Sequence, residues 1–285
     1  MQPHERFKKL DKRFWANVRT ISQALGYTAK KTRQVRVYTI AEMATAMNMV
    51  GLGAEHLIKS DNSPTEFGTL LHHYFSYRAD VLNTYVEPRL MDVERATLVF
   101  GTLRTELNST RFIPMNKQTG TKKTPAFLTG IVNMLIEANA AGFPCDYDPR
   151  ILTTITHNNE PLRTLARRVD GCFPAATNPI AIWEIKEYYY TTTFGSRIAD
   201  GVYETLLDGL ELEELREHEG IDIQHLLIVD AHFTWWVKGK SYLCRIIDML
   251  NMGYIDEVLF GYEVIEQLPR IVQEWVAIAR QRGIK

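Results

Sequence analysis

Hydrophobic residues recur at three- and four-residue steps through the first hundred positions. In RFKKLDKRFWANVRTISQAL, Phe7, Leu10, Phe14, Val18, Ile21 and Leu25 share one side of a helix whose back is basic. Thr39, with Glu42 three residues on, predicts a capped start for IAEMATAMNM. Ser63-Pro64-Thr65-Glu66 predicts another start, for FGTLLHHYFSYRADVLNTYV, and Pro88 marks its end. A further helix is expected from Leu90 to Leu107. Asn108 to Ala126, NSTRFIPMNKQTGTKKTPA, reads as a long polar loop, and loops of that length inside a domain are usually functional or disordered.

The second half changes period. LARRVDGCF and IAIWEIKEYYY read as strands joined by Pro174 to Pro179, with Asn178-Pro179 as a turn signal. SRIADGVYETLLDGLELEEL then reads as a helix, IQHLLIVDAHF as a strand, YLCRIIDMLNM as a helix and IDEVLFGY as a strand. A last helix is expected near Ile265 to Arg282. Strands alternating with helices predict an α/β fold, a mixed sheet with helices packed over it. The expectation is one domain over residues 1–285, with a largely helical N-terminal region to about 145 and an α/β core over about 146–285. YTIAEMATAMNMVGLGAEHLI also fits a helix-turn-helix loosely, although plain helical packing explains it better.

Composition narrows the class. With 45% hydrophobic and 24% charged residues the chain has the profile of an ordinary globular protein. Its apolar runs are too short to span a bilayer, and MQPHERFKKLDKRF lacks the apolar stretch of a secretory signal. The three cysteines, Cys145, Cys172 and Cys244, have no CxxC spacing, so free thiols in a cytoplasmic setting are expected, with no membrane partner. A net charge of −1 hides an asymmetry. Residues 1–40 hold ten Lys/Arg against Glu5 and Asp11, whereas residues 200–222 hold nine acids against Arg216. A basic end on a neutral protein points to an anionic partner, nucleic acid first.

The chemistry is concentrated in RRVDGCFPAATNPIAIWEIKEYYY, Arg167 to Tyr190. Side chains alternate along a strand, so Glu184 and Lys186 share one face while Trp183 and Ile185 take the other. Charges beside a core cost free energy unless partners or a metal compensate them. Asp170, on the preceding strand, can meet that face if the two strands form a hairpin. Two carboxylates so placed make an oxygen-rich seat for a hard cation such as Mg²⁺. The alternative is a surface hairpin with an ordinary ion pair. Among the thirteen lysines, Lys186 alone has an acid two positions before it.

Asp170, thirteen residues, then Glu184-Ile185-Lys186 resembles the signature of the PD-(D/E)XK nuclease superfamily, which includes most type II restriction endonucleases. The resemblance covers roughly Leu165 to Phe260 and implies a restriction-endonuclease-like core. It implies Asp170 and Glu184 as metal ligands, the Ile185 carbonyl as a third, and Lys186 as the catalytic lysine, with Mg²⁺ as cofactor. Val169 stands where the superfamily name has proline. FGTLLHHYF looks like the Gly-x-x-x-His element of RecB-like members, which would make His72 an extra ligand after Gly68. An acid on an early helix is the commoner restriction-enzyme device, so Glu66 is a rival, with Glu55 behind it. The Gln-x-x-x-Tyr element of RecB-like nucleases is incomplete, since Ala199 stands four residues before Tyr203.

Phosphates are held by Lys and Arg, and base edges are read by amides and guanidiniums. The DNA-contact candidates are therefore Lys30, Lys31, Arg33 and Arg36, then Arg111, Asn116, Lys117, Gln118, Lys122 and Lys123 on the loop, and Arg197 past the lysine. Tyr188 to Thr193 could also touch DNA, or merely pack. The expected function is a Mg²⁺-dependent, sequence-specific double-stranded DNA endonuclease of type II. Such an enzyme would act as a homodimer, and a cognate DNA methyltransferase would belong to the same system. A RecB-like processing or phage-defence nuclease is the first alternative, and a non-catalytic DNA-binding protein the second.

Overall fold

The computed structural model describes residues 1–8, 10–29, 32, 34–116, 120, 123–191 and 195–284. The chain is a mixed α/β protein of two compact units. One comprises Met1–Gln2, Arg89–Lys238 and Gly253–Lys285; the other comprises Pro3–Pro88 and Gly239–Met252. Among the described residues no helix is long and apolar enough to cross a membrane.

The first unit is built on a four-stranded sheet. A short hairpin, β1 (Thr154–His157) and β2 (Glu160–Thr164), stands apart from it. The sheet itself is β3 (Gly171–Phe173), β4 (Ala181–Glu187), β5 (Gln224–Asp230) and β6 (Glu257–Phe260), neighbours in that order. β3 runs antiparallel to β4, while β4, β5 and β6 are mutually parallel. A parallel pair needs a crossover, and between β4 and β5 it is the long helix Ser196–Glu219.

Alternation gives the sheet two different faces. Phe173, Ala181, Trp183, Leu226, Ile228 and Leu259 form one apolar core with the helices Val93–Glu106, Phe127–Asn139 and Glu263–Gln281. Within it Trp183 stacks on Trp275, ring centroids 5.7 Å apart and planes 8° apart. The opposite face carries Cys172 and Ile182, packed with Leu212 and Leu215 of the crossover helix. Residues two apart on β4 share a side, so Glu184 and Lys186 lie on this second face, under that helix. The two helices before residue 145 thus belong with the sheet rather than with the helical N-terminal region, because their apolar sides supply one layer of its core.

The second unit is helical: Lys12–Leu25, Ile40–Met49, Glu66–Asp80 and Lys240–Met252. In chain order the eight α-helices named so far are α1 to α8, with Ser196–Glu219 as α6 and Lys240–Met252 as α7. The expected caps are present. Thr39 and Glu42 form a reciprocal capping box, and Thr65 accepts from the Gly68 N–H. α1 starts at Lys12 because Asp11 caps it, so Phe7 packs from the preceding turn. Arg78, fully buried, donates to both oxygens of Asp248 at 3.1 Å, and Tyr74 donates to the same carboxylate at 2.5 Å. Residues 50–65 separate α2 from α3, far longer than the turn of a helix-turn-helix.

Candidate functional site

The hairpin places the signature residues directly opposite one another. Gly171 pairs with Trp183, and continuing that register by one residue sets Asp170 across from Glu184. The Asp170 N–H donates to Glu184 Oε1 at 3.1 Å, and Asp170 Oδ2 accepts from the Ile185 N–H at 3.0 Å. Asp170 thereby extends the ladder with its side chain where β3 itself has not begun. Gly171 permits this: a Cβ there would overlap the Trp183 indole. Lys186 Nζ donates to Glu184 Oε2 at 2.7 Å.

Three further residues complete the cluster, none foreseen as part of the site. Arg167 Nη1 lies 3.0 Å from Glu184 Oε1 and donates to Asp208 Oδ2 at 2.5 Å, while its Nη2 donates to Glu184 Oε2 at 3.1 Å. Glu204 Oε2 is 3.5 Å from both Arg167 and Lys186. Asp208 was legible in one respect. It occupies a position on the buried stripe of α6, with Val202, Thr205, Leu212 and Leu215, where an apolar residue is the rule.

Charge explains the behaviour of these groups. Four carboxylates, Asp170, Glu184, Glu204 and Asp208, face two cations, Arg167 and Lys186, leaving a formal charge of −2. Burial opposes ionisation of Glu184, yet Lys186 and Arg167 hold its carboxyl below the usual range. Burial likewise opposes protonation of Lys186, but Glu184 and then Asp170 keep the ammonium well above an ordinary lysine. Asp208 is pushed up to about 7, by burial first and by the Glu184 charge second. His225, in register with Ile182 and hence on the same face, is buried; its Nδ1–H donates to the Tyr254 carbonyl at 2.8 Å. Burial lowers its pKa, which favours the neutral ring.

The remaining candidates lie as follows. His72 donates its Nδ1–H to the Tyr38 carbonyl at 2.8 Å within the helical unit. A Cβ at Gly68 would overlap the Leu57 carbonyl, so both conspicuous residues of the Gly-x-x-x-His element have local structural work. Glu66 is the exposed first residue of α3, and Glu55 is exposed in the preceding loop. Among the described residues no group of three or more His, Cys, Asp or Glu side chains is arranged to hold a metal.

Of the DNA-contact candidates, Arg36 donates to the Leu25 carbonyl at 2.6 Å and to Glu42 at 2.8 Å. Arg111 pairs with Glu137 at 2.8 Å and lies 4.0 Å over the Tyr147 ring. Asn116 ties the loop to Thr124 through both amide atoms, at 2.7 and 3.2 Å. Lys123 is exposed. Lys30, Lys31, Arg33, Lys117, Gln118 and Lys122 lie outside the described residues, as does the side chain of Arg197. In the tyrosine run, Tyr189 donates to Asp230 at 2.5 Å, a packing role, whereas Tyr190 is exposed.

Comparison with known proteins gives family rather than function. No curated protein matches the chain. No solved structure matches it either. Residues 1–85 match the family described as Domain of unknown function (DUF7690), and residues 91–275 match that described as Domain of unknown function (DUF7687). The break between them falls where the helical unit gives way to the sheet unit, at Pro88–Arg89. The second match takes in the sheet from β3 to β6 and every residue of the charged cluster, and with most of the chain inside it the protein belongs to the DUF7687 family.

Proposed function

We propose that this protein is a Mg²⁺-dependent DNA endonuclease with a restriction-endonuclease-like core, acting on double-stranded DNA as a homodimer. One observation carries the reading: Asp170 and Glu184 face each other across an antiparallel pair, with Lys186 Nζ 2.7 Å from Glu184. An antiparallel hairpin, a crossover helix, a parallel strand, a helix and a second parallel strand follow the order that such a core requires.

The donors fit the metal. Mg²⁺ takes oxygen ligands and is commonly held by one or two carboxylates with waters completing its shell. Asp170 and Glu184 supply the two carboxylates, the Ile185 carbonyl lies between Glu184 and Lys186 on β4, and the cluster's excess of negative charge suits a divalent cation. When bound, such an ion polarises a phosphodiester and lowers the pKa of a coordinated water. Lys186 keeps its proton beside Glu184, so its ammonium is available to position a water or to stabilise charge on the phosphate. Its burial keeps competing solvent from that charge.

A second reading has an observation of its own. Glu184 is already paired with two cations, which suits a non-catalytic DNA-binding protein whose ion network ties α6 to the sheet. Incubating the protein with supercoiled and linear phage DNA, in Mg²⁺ and in EDTA, separates the two. A Glu184→Ala protein, its fold checked by circular dichroism, runs beside it. Discrete Mg²⁺-dependent fragments, absent in the variant, support the endonuclease. A smear shrinking from the ends moves the assignment to a processing nuclease. DNA binding without cutting, unchanged in the variant, refutes catalysis at this site.

A further inference from the structure

Both carboxylate oxygens of Glu184 are engaged. Oε1 accepts from the Asp170 N–H at 3.1 Å, and Arg167 Nη1 lies 3.0 Å from it; Oε2 accepts from Lys186 Nζ at 2.7 Å and from Arg167 Nη2 at 3.1 Å. An ionised carboxylate offers about four such positions, and the Arg167 guanidinium stands against the one that these three bonds leave. A cation engaging Glu184 must therefore displace a donor. The Asp170 N–H is set by the hairpin register, and Lys186 is buried with its stem against Gly201 of α6.

Arg167 differs from both. Its side chain is 23% exposed against 7% for Lys186, and it already has a second seat. That seat is Asp208, whose Oδ2 accepts from Nη1, with Glu204 beside it. Asp208 Oδ1 is buried and has no hydrogen-bond partner among the described residues. A guanidinium is a planar fork that matches both oxygens of one carboxylate.

We propose that Arg167 is a two-position latch. Without metal it bridges Glu184 and Asp208; when a divalent cation engages Glu184, the guanidinium passes wholly to Asp208 and pairs with both its oxygens. This inference rests on the reading of Glu184 as a metal ligand. Arg167 is then a positioning residue that competes with the metal, and Asp208 favours the metal by receiving what it displaces. Charge alone would move the affinity in these same directions, but a variant lacking both, with no net change in charge, would then match the parent, whereas loss of the latch leaves it tighter.

Isothermal titration calorimetry of the whole protein with Mn²⁺ and no DNA reads that affinity without reference to cleavage. Arg167→Met should bind about tenfold more tightly than the parent, and Asp208→Asn more weakly by about as much. Glu184→Gln should not bind. Arg167→Met leaves Asp208 buried without its cation, so Arg167→Met/Asp208→Asn is measured with it and should also exceed the parent. Equal affinities in the parent and the Arg167 and Asp208 variants, with binding lost in Glu184→Gln, overturn the latch and leave the metal site standing. Undiminished binding by Glu184→Gln, or no binding by any protein, overturns both.

Discussion

Gly171 opens β3, one residue after Asp170, and pairs with Trp183 across the hairpin. A Cβ at this position would come within 3.0 Å of Trp183 Cε2, Cζ2 and Nε1, closer than real Cβ atoms approach. The indole has nowhere to go, since it is fully buried and stacked on Trp275. Two effects of Gly171→Ala therefore oppose each other. Loss of unfolded-state freedom stabilises by about 0.4–1 kcal/mol, whereas forcing an extra carbon into a filled core costs about 1–3 kcal/mol and disturbs the stack as well. The clash should win, with a net loss of roughly 2 kcal/mol in urea unfolding followed by circular dichroism. In a Trp183→Leu background the overlapping ring is gone, and the same alanine should be neutral or stabilising by about 0.5 kcal/mol. The cycle should thus show a coupling of about 2 kcal/mol. An equal cost in the two backgrounds would refute the reasoning. Affinity for the proposed Mg²⁺ should fall together with stability, because moving β3 moves Asp170 and both of its bonds to β4.

Two other perturbations address the C-terminal end of β5. Burial pushes Asp230 up to about 8, so the folded protein keeps a proton there that the unfolded chain releases near 3.8. Its stabilisation is complete below 3.8 and declines as pH rises toward 8. Glu187 and Asp208, each raised by burial to about 7, fall mainly below pH 7 and add only about 0.3 kcal/mol each to the step from pH 7 to 8. Asp230 itself should cost about 1 kcal/mol over that step, and Asp230→Asn, which still accepts from Met91 and Ala231, should reduce the loss by that amount. A parent protein that gains stability from pH 7 to 8 would contradict this. Next to it, Ala231 has φ = 123°, a region that non-glycine residues enter only under strain. Ala231→Gly should raise Tm by roughly 2–4 °C, and a lower Tm would mean that the strain is absent.

Much of the local structure was legible because its causes are local. The capping box at Thr39, the cap at Thr65, and the apolar runs of β4, β5 and β6 each lie within a few residues of what they specify. β1 and β2 were missed although Asn158 and Asn159, at φ 52° and 66°, are the residues a tight hairpin turn favours. Their strands are short and largely exposed, with little alternation to read. α5 was missed for a different reason. Its N-cap residue, Ala126, offers no side-chain bond, and Glu187 of β4 takes that place by accepting from the Thr129 N–H and hydroxyl, both at 3.0 Å. A helix start capped from 58 residues away leaves no mark beside itself in the chain.

By itself the sequence determined that Glu184 and Lys186 share a strand face, since alternation is a property of one strand, and that Asp170 can join them across a short connection. It did not determine what neutralises them. Arg167 and Asp208 are 41 residues apart, and Asp208 meets Arg167 only because α6 crosses back over that face between two parallel strands. It also left open the allegiance of α4, whose apolar side packs equally well in principle against helices or a sheet. Periodicity and capping depend on neighbours along the chain; charge pairing and layer membership depend on neighbours in space, and only the folded backbone decides which those are.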